Sequence, residues 1–185
     1  LLGEYGLGTQ YCGLVRAKNV HYFADPVRGY QVRRSQDGLI PISELYKAQF
    51  YVRGLLTPYN KTHARTNGGS AKIMGCYDFL QEQYVAVLQA GTGLSPYAFS
   101  FNEPRNAYTS FYDFHPEWIT SAEEDIYSWL NGNLYVHTNE TLYCNFYGTQ
   151  YYPSIKLVFN DKELMKKAFN AVAYEGNQIW VSAAN

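Results

Sequence analysis

The chain reads as mainly β, built from successive antiparallel hairpins with one or two short helices. Three observations point there. Aromatic residues make up 17% of the 185 positions, with 19 Tyr and 10 Phe, and these side chains favour half-buried strands. Residues 95–137 hold three runs rich in Tyr, Phe, Trp, Val and Thr, each bounded by Pro, Asn or Gly, the pattern of hairpins following one another. Asn131-Gly132 supplies the two positive-φ positions of a type I′ turn between Ile126–Leu130 and Asn133–His137. A two-residue turn sets the register, so Trp129 is predicted opposite Leu134, Ser128 opposite Tyr135 and Tyr127 opposite Val136. Trp129 and Tyr127 then share one face, and Ile126, Ser128 and Leu130 the other. Both faces carry apolar groups, which predicts a sheet covered on both sides.

Length allows one domain with a core of its own, or one domain with an appended piece. Fifteen basic and 16 acidic residues leave a net charge of −1, without the basic excess that phosphate neutralisation draws on. No apolar run approaches the roughly 18 residues of a membrane span, and no charged-then-apolar signal segment opens the chain. Cys12, Cys76 and Cys144 are odd in number and lack a CxxC pair, so neither a disulfide framework nor a zinc site follows; three lone buried thiols are expected. Asn60-Lys61-Thr62 and Asn139-Glu140-Thr141 match the short glycosylation pattern. Leu1 stands where a start Met would, and the ends lack punctuation, so a piece of a longer polypeptide is expected.

In chain order, residues 11–24 give one or two strands, Asp25-Pro26-Val27-Arg28-Gly29 a tight loop, and Tyr30–Arg34 the returning strand. Asp37-Gly38 is a further turn. From Ile42 the period changes: Ile42, Leu45, Tyr46 and Phe50 fall at helical spacings, with Ser43 as N-cap and an end near Gly54 or Leu56. Residues 57–71 form a polar, Gly-rich loop holding Lys61, His63 and Arg65, a solvated surface or a binding loop. Strands resume at Ile73–Tyr77 and Gln83–Leu88. Tyr97, Phe99 and Phe101 then alternate with Ala98 and Ser100, and Asn102–Asn106 forms a second five-residue loop. Tyr108–Phe114 and Trp118–Ser121 complete the strands before the Asn-Gly hairpin. Beyond Asn139 the pattern shifts to a strand at Ser154–Phe159, a short helix capped by Asn160 with Glu163 at its third position, and a last hairpin turning at Glu175-Gly176-Asn177.

Tyr84 in QYVAVL and Tyr127 in DIYSWL hold like positions 43 residues apart, and Tyr22 in VHYFAD matches them. That interval suits one four-stranded β-propeller blade, and blades stacked face to face are apolar on both sides. The reading is therefore a partial propeller over 1–138, interrupted by the helix and long loop at about 42–71, followed by an appended β-rich element over 139–185.

Chemistry leaves no clear mark. His21, His63, His115 and His137 show no metal-ligand spacing. Glu123-Glu124-Asp125 fits a solvated turn, and with Asp113 and Glu117 it supplies the acids that a propeller hydrolase would need. No nucleophile motif accompanies them, and Gly3, Gly6 and Gly8 are not followed by a helix. No catalytic, cofactor-binding or metal residue is assigned, no cofactor is expected, and the chain is not read as an enzyme. The surplus of Tyr and Trp leaves sugar stacking or protein interfaces as uses for the surface, so a carbohydrate- or receptor-binding module is the alternative function.

An ordered series of short elements carries a resemblance. It runs from Pro116 and Trp118 through Asn131, Gly132, Leu134, Tyr135 and His137 to Phe146-Tyr147-Gly148. It continues with Pro153, Ser154, Ile155, Val158 and Asn160, and ends with Tyr174, Glu175, Gly176 and Trp180. From about Val20 onward the chain resembles large structural tail proteins of crAss-like tailed bacteriophages. The resemblance implies a propeller-like part of a tail, hub or muzzle protein near the portal, a scaffold and channel wall or gate for genome ejection. It further implies virion proteins as partners, a ring of copies, and no catalytic role.

Overall fold

The computed structural model describes residues 5–6, 12–60, 72–89, 94–137 and 142–156, with a few isolated positions beyond 163. The chain divides into two compact units, Leu1–Tyr152 and Pro153–Asn185. The first is mainly β, in antiparallel sheets. The expected strand at 154–159, the capped helix at 160 and the last hairpin fall largely outside the described residues, as do Lys61, His63 and Arg65.

Three meandering sheets follow one another along the first unit. The first holds β1 (Val15–Ala17), β2 (Val20–Asp25), β3 (Tyr30–Ser35) and β4 (Gly38–Pro41), in that order. The second repeats the plan with β5 (Lys72–Asp78), β6 (Gln83–Gln89), β7 (Tyr97–Asn102) and β8 (Ala107–Tyr112). The third has β9 (Trp118–Ala122), β10 (Asp125–Leu130) and β11 (Asn133–Val136), with β10 between the others. A small hairpin, β12 (Asn145–Phe146) with β13 (Thr149–Gln150), follows. Tyr22, Tyr84 and Tyr127 all lie on the second strand of their sheet, which is why their surroundings look alike in sequence.

The middle sheet explains the continuous apolar run in β6. Tyr84, Ala86 and Leu88 enter one core with Ile73, Phe99 and Phe101 of the same sheet and Tyr22 and Ala24 of the first. Val85 and Val87 enter a second core with Met74, Cys76 and Ala98, against Phe114, Ile119 and Ile126 from the third-sheet side. Alternation along one strand thus feeds two cores, as expected of a sheet buried on both faces.

Three of the hairpin loops share one device. Each runs four residues between paired ends, Asp25 with Tyr30, Asp78 with Gln83 and Asn102 with Ala107. At each entry a side-chain oxygen accepts loop backbone N–H groups: Asp25 Oδ1 from Val27 and Arg28, Asp78 Oδ1 from Leu80 and Gln81, Asn102 Oδ1 from Arg105. At each exit a residue has positive φ, namely Gly29 (75°), Glu82 (51°) and Asn106 (51°). Asp and Asn side chains mimic a backbone turn in this way.

The helical stretch departs from the expected single helix. Helix α1 (Ile42–Leu45) and helix α2 (Gln49–Leu56) are separate, because Lys47 takes φ 59° between them. The break resets the phase: Val52 and Leu56 face the core in α2, while Leu45 and Phe50 are exposed. Ser43 is not the N-cap, a position Pro41 occupies. Instead Ser43 is buried, donating to Gln49 Oε1 at 2.8 Å and accepting from the Gln31 N–H at 3.2 Å. The start of the expected long loop is a 3₁₀ turn, Thr57–Tyr59.

Register in the Asn-Gly hairpin is as expected, with Trp129 opposite Leu134, Ser128 opposite Tyr135 and Tyr127 opposite Val136. Asn131 (φ 52°) and Gly132 (φ 77°) both take the left-handed region. The expectation that both faces are covered does not hold. The Ile126 and Ser128 face is buried, but the opposite face leaves Trp118, Leu134 and Val136 exposed.

Candidate functional site

Two polar clusters lie within the sheet stack. Between the first two sheets, the Tyr22 ring stacks on Tyr77 and Tyr84, with centroids 5.9 and 5.1 Å away. Its hydroxyl donates to Glu103 Oε2, and Arg33 Nε lies 2.7 Å from Glu103 Oε1. Burial first, then the adjacent carboxylate, pushes the Tyr22 phenol far above its ordinary range. Tyr22 therefore stays a protonated donor, and the cluster ties the sheets together.

The second cluster sits under the third sheet. Ser128 Oγ is 2.6 Å from His137 Nε2 and 3.0 Å from the Tyr147 hydroxyl. Tyr147 and Gly148 form the two-residue turn of the β12–β13 hairpin, with φ of 54° and 80°. A Tyr at that φ is strained. Its ring contacts to Tyr135 at 4.8 Å and His137 at 5.9 Å, with the Ser128 bond, hold it there. Burial lowers the His137 pKa to about 4, so the ring is neutral near pH 7. A serine beside a histidine invites comparison with a nucleophile and its base. Here, however, the serine is fully buried, and its other side-chain partner is a tyrosine hydroxyl. The arrangement fastens the hairpin to the sheet. Alongside lies an open cleft of about 300 Å³ lined by residues including Tyr135, His137, Leu142, Tyr143, Phe146 and Tyr147.

The residues raised as acids do not gather around either cluster. Glu123 and Glu124 form the exposed turn joining β9 to β10, where Asp125 pairs with Ala122. Asp125 begins β10, and its Oδ2 accepts from the Tyr127 hydroxyl at 3.4 Å. Asp113 and Glu117 are exposed in the segment between β8 and β9. Among the described residues, no group of three or more His, Cys, Asp or Glu side chains forms a metal site. His21 lies in β2, and His137 directly follows β11, donating its N–H to the Ile126 carbonyl at 3.0 Å. Of the thiols, Cys12 and Cys76 are buried as expected, whereas Cys144 is only half-buried.

Sequence reasoning missed both clusters. The Asn-Gly register already places Ser128, Tyr135 and His137 on one face, so part of the second was legible. Its closing partner, Tyr147, arrives only through the fold of the following hairpin. The surface is the more prominent feature. Phe50, Tyr51, Phe111, Tyr143 and Tyr152 are exposed, and Tyr51 meets Phe111 edge to face at 5.5 Å.

Residues 141–185 match the family model described as the Crassvirus muzzle protein C-terminal domain. The match supports a muzzle protein of a crAss-like phage. No curated protein matches the chain. The matched segment begins just before the β12–β13 hairpin, so the Phe146-Tyr147-Gly148 element lies inside it. A muzzle domain implies a structural component of the virion that meets other virion proteins. Among the described residues, no helix is long and apolar enough to cross a membrane.

Proposed function

We propose that this chain is a scaffold segment of the phage tail, part of a muzzle assembly near the portal, where it forms channel wall or gate during genome ejection. The carrying observation is the muzzle match over residues 141–185. Three antiparallel meanders in succession, with the middle one buried on both faces, support a propeller-like stack in the first unit. In this reading the chain catalyses nothing; its partners are other virion proteins, and copies surround a channel as a ring. The exposed aromatic side chains supply contact area at low entropic cost. A cryo-EM map of the native particle tests the reading: density for residues 1–185 ringing the tail channel beside the portal is expected. Finding the chain absent from purified particles would overturn it.

A second reading has its own observation. The cleft beside the third sheet carries Tyr135, Tyr143, Phe146 and Tyr147, rings of the kind that stack on sugars. A carbohydrate- or receptor-binding module would give glycan-array signals that Tyr143→Ala abolishes. Silence across the array at high protein concentration would discard it.

A further inference from the structure

We propose that the first core binds an ordered water, held between the Gln31 side-chain amide and the hydroxyls of Tyr84 and Tyr108. Gln31 is 1% exposed, yet neither its Nε2 nor its Oε1 has a hydrogen-bond partner among the described residues. The Tyr108 hydroxyl is buried and unpartnered in the same way, and its ring packs against the same core. Exchanging the two ends of the amide rescues nothing, because both are unmatched. Strand geometry fixes where the side chain points. Ala24, the cross-strand partner of Gln31, lies in the first core, so Gln31 shares that face, and its backbone N–H is already taken by Ser43 Oγ. A buried polar group left bare shifts the folding equilibrium against the native state by about tenfold or more, and here two side chains in one core are in that position.

Tyr84 brings the two together. Burial above all keeps its phenol protonated; the Tyr108 phenol adds to that and the Gln31 amide acts against it, so both lie within electrostatic reach of the hydroxyl. No direct bond of ordinary length joins Gln31 to it. The Tyr84 O–H is committed to the Gly13 carbonyl at 2.7 Å, which leaves a lone pair on its oxygen. The site thus offers donors at Gln31 Nε2 and the Tyr108 hydroxyl, and acceptors at Gln31 Oε1 and the Tyr84 oxygen. That mixed set, about four partners in all, is what a buried water takes. The chemistry does not suit an ion. All three side chains are neutral, since burial also pushes the Tyr108 phenol far above its ordinary range. The neighbouring charges, Arg33 and Glu103, are closed on each other at 2.7 Å. An apolar cavity would stay dry, whereas polar groups of both kinds select a small molecule that donates and accepts.

The test uses the full 185-residue chain. A density map at about 2 Å should show a peak within roughly 2.6–3.2 Å of a Gln31 amide atom and of a tyrosine hydroxyl. Gln31→Met and, independently, Tyr108→Phe should each raise the unfolding constant from urea curves by about fivefold or more, since each strips a partner from the water. Combined, they should have clearly less than the product of the two effects, because both act on one shared ligand. A dry core predicts the reverse for the first variant: Gln31→Met would then remove a bare amide and leave stability unchanged or raised. The proposal is overturned by a map without the peak, by Gln31 bonded directly to a tyrosine in its place, by Gln31→Met at or above the parent's stability, or by effects that multiply in full. Should either variant fail to fold, the map of the parent chain decides alone. The scaffold reading rests on the muzzle match and stands or falls independently of the water.

Discussion

His137 and Gly75 show how single positions carry tertiary demands. Folding buries His137 and lowers its pKa to about 4, against about 6.5 in the unfolded chain. Below pH 6.5 the unfolded chain takes up a proton that the folded chain refuses. Stability is therefore full above about 6.5, falls as pH drops through about 4, and levels off below. The loss amounts to about 3 kcal/mol, at 1.36 kcal/mol per unit. Urea unfolding from pH 7.5 to 3.5 should show this decline, and His137→Gln should flatten that part of it. Gly75 answers to a different constraint. The Cys12–Gly13 segment lies alongside β5, with Cys12 bridged to Ile73 and the Tyr84 hydroxyl donating to the Gly13 carbonyl at 2.7 Å. A Cβ at position 75 would lie 2.7 Å from the Gly13 carbonyl oxygen and 2.9 Å from the Tyr84 ring. Gly75→Ala should destabilise by about 1–3 kcal/mol, the usual cost of overpacking, read as a lowered urea midpoint.

At the scale of elements, turns decide more than strand propensity does. The four-residue loops after Asp25, Asp78 and Asn102 repeat one construction, an Asx oxygen at the entry and a positive-φ residue at the exit. Two of these loops were legible from Pro and Gly alone, in DPVRG and NEPRN. The third, DFLQE, contains neither, and Glu82 takes the left-handed region without a glycine to announce it. Lys47 is a similar case between α1 and α2, and it is exposed. Lys47→Gly should stabilise the fold by roughly 0.5–1 kcal/mol, because glycine takes this φ without the steric penalty. A rise in thermal midpoint is the expected result; a fall would mean that the lost backbone freedom outweighs the relieved strain.

For the first unit as a whole, the middle sheet should be the last part to open. Its strands feed both cores, while the third sheet has one open face. Hydrogen exchange should show the slowest amides in β6, at Tyr84–Leu88, with β11 faster. Thiol chemistry reads the same hierarchy. Burial raises the Cys76 pKa strongly and that of Cys12 as well, while Cys144 sits half-exposed at a positive φ in the loop before β12. A thiol reagent at pH 8 should label Cys144 first in the native chain and reach Cys12 and Cys76 only on unfolding. Early labelling of Cys76 would contradict the doubly buried middle sheet.

The sequence by itself determined the β class, the boundaries of β3 and of β5 to β11 within a residue or two, and the pairing register across Asn131-Gly132, but it gave no strand at β4 or at the β12–β13 hairpin. Those properties are local: alternation, turn chemistry and chirality act over a few residues and leave their pattern in the chain. Its ordered motifs also pointed to the phage family that the C-terminal match supports. Only the tertiary structure decided the rest. It broke the helix at Lys47, moved Ser43 from an expected cap to a buried hydrogen-bond hub, and closed Ser128 and His137 with Tyr147. It also left one face of the third sheet open, although both faces of that hairpin are apolar in sequence. Whether an apolar face is covered depends on which distant segments reach it, and that is settled by packing between elements.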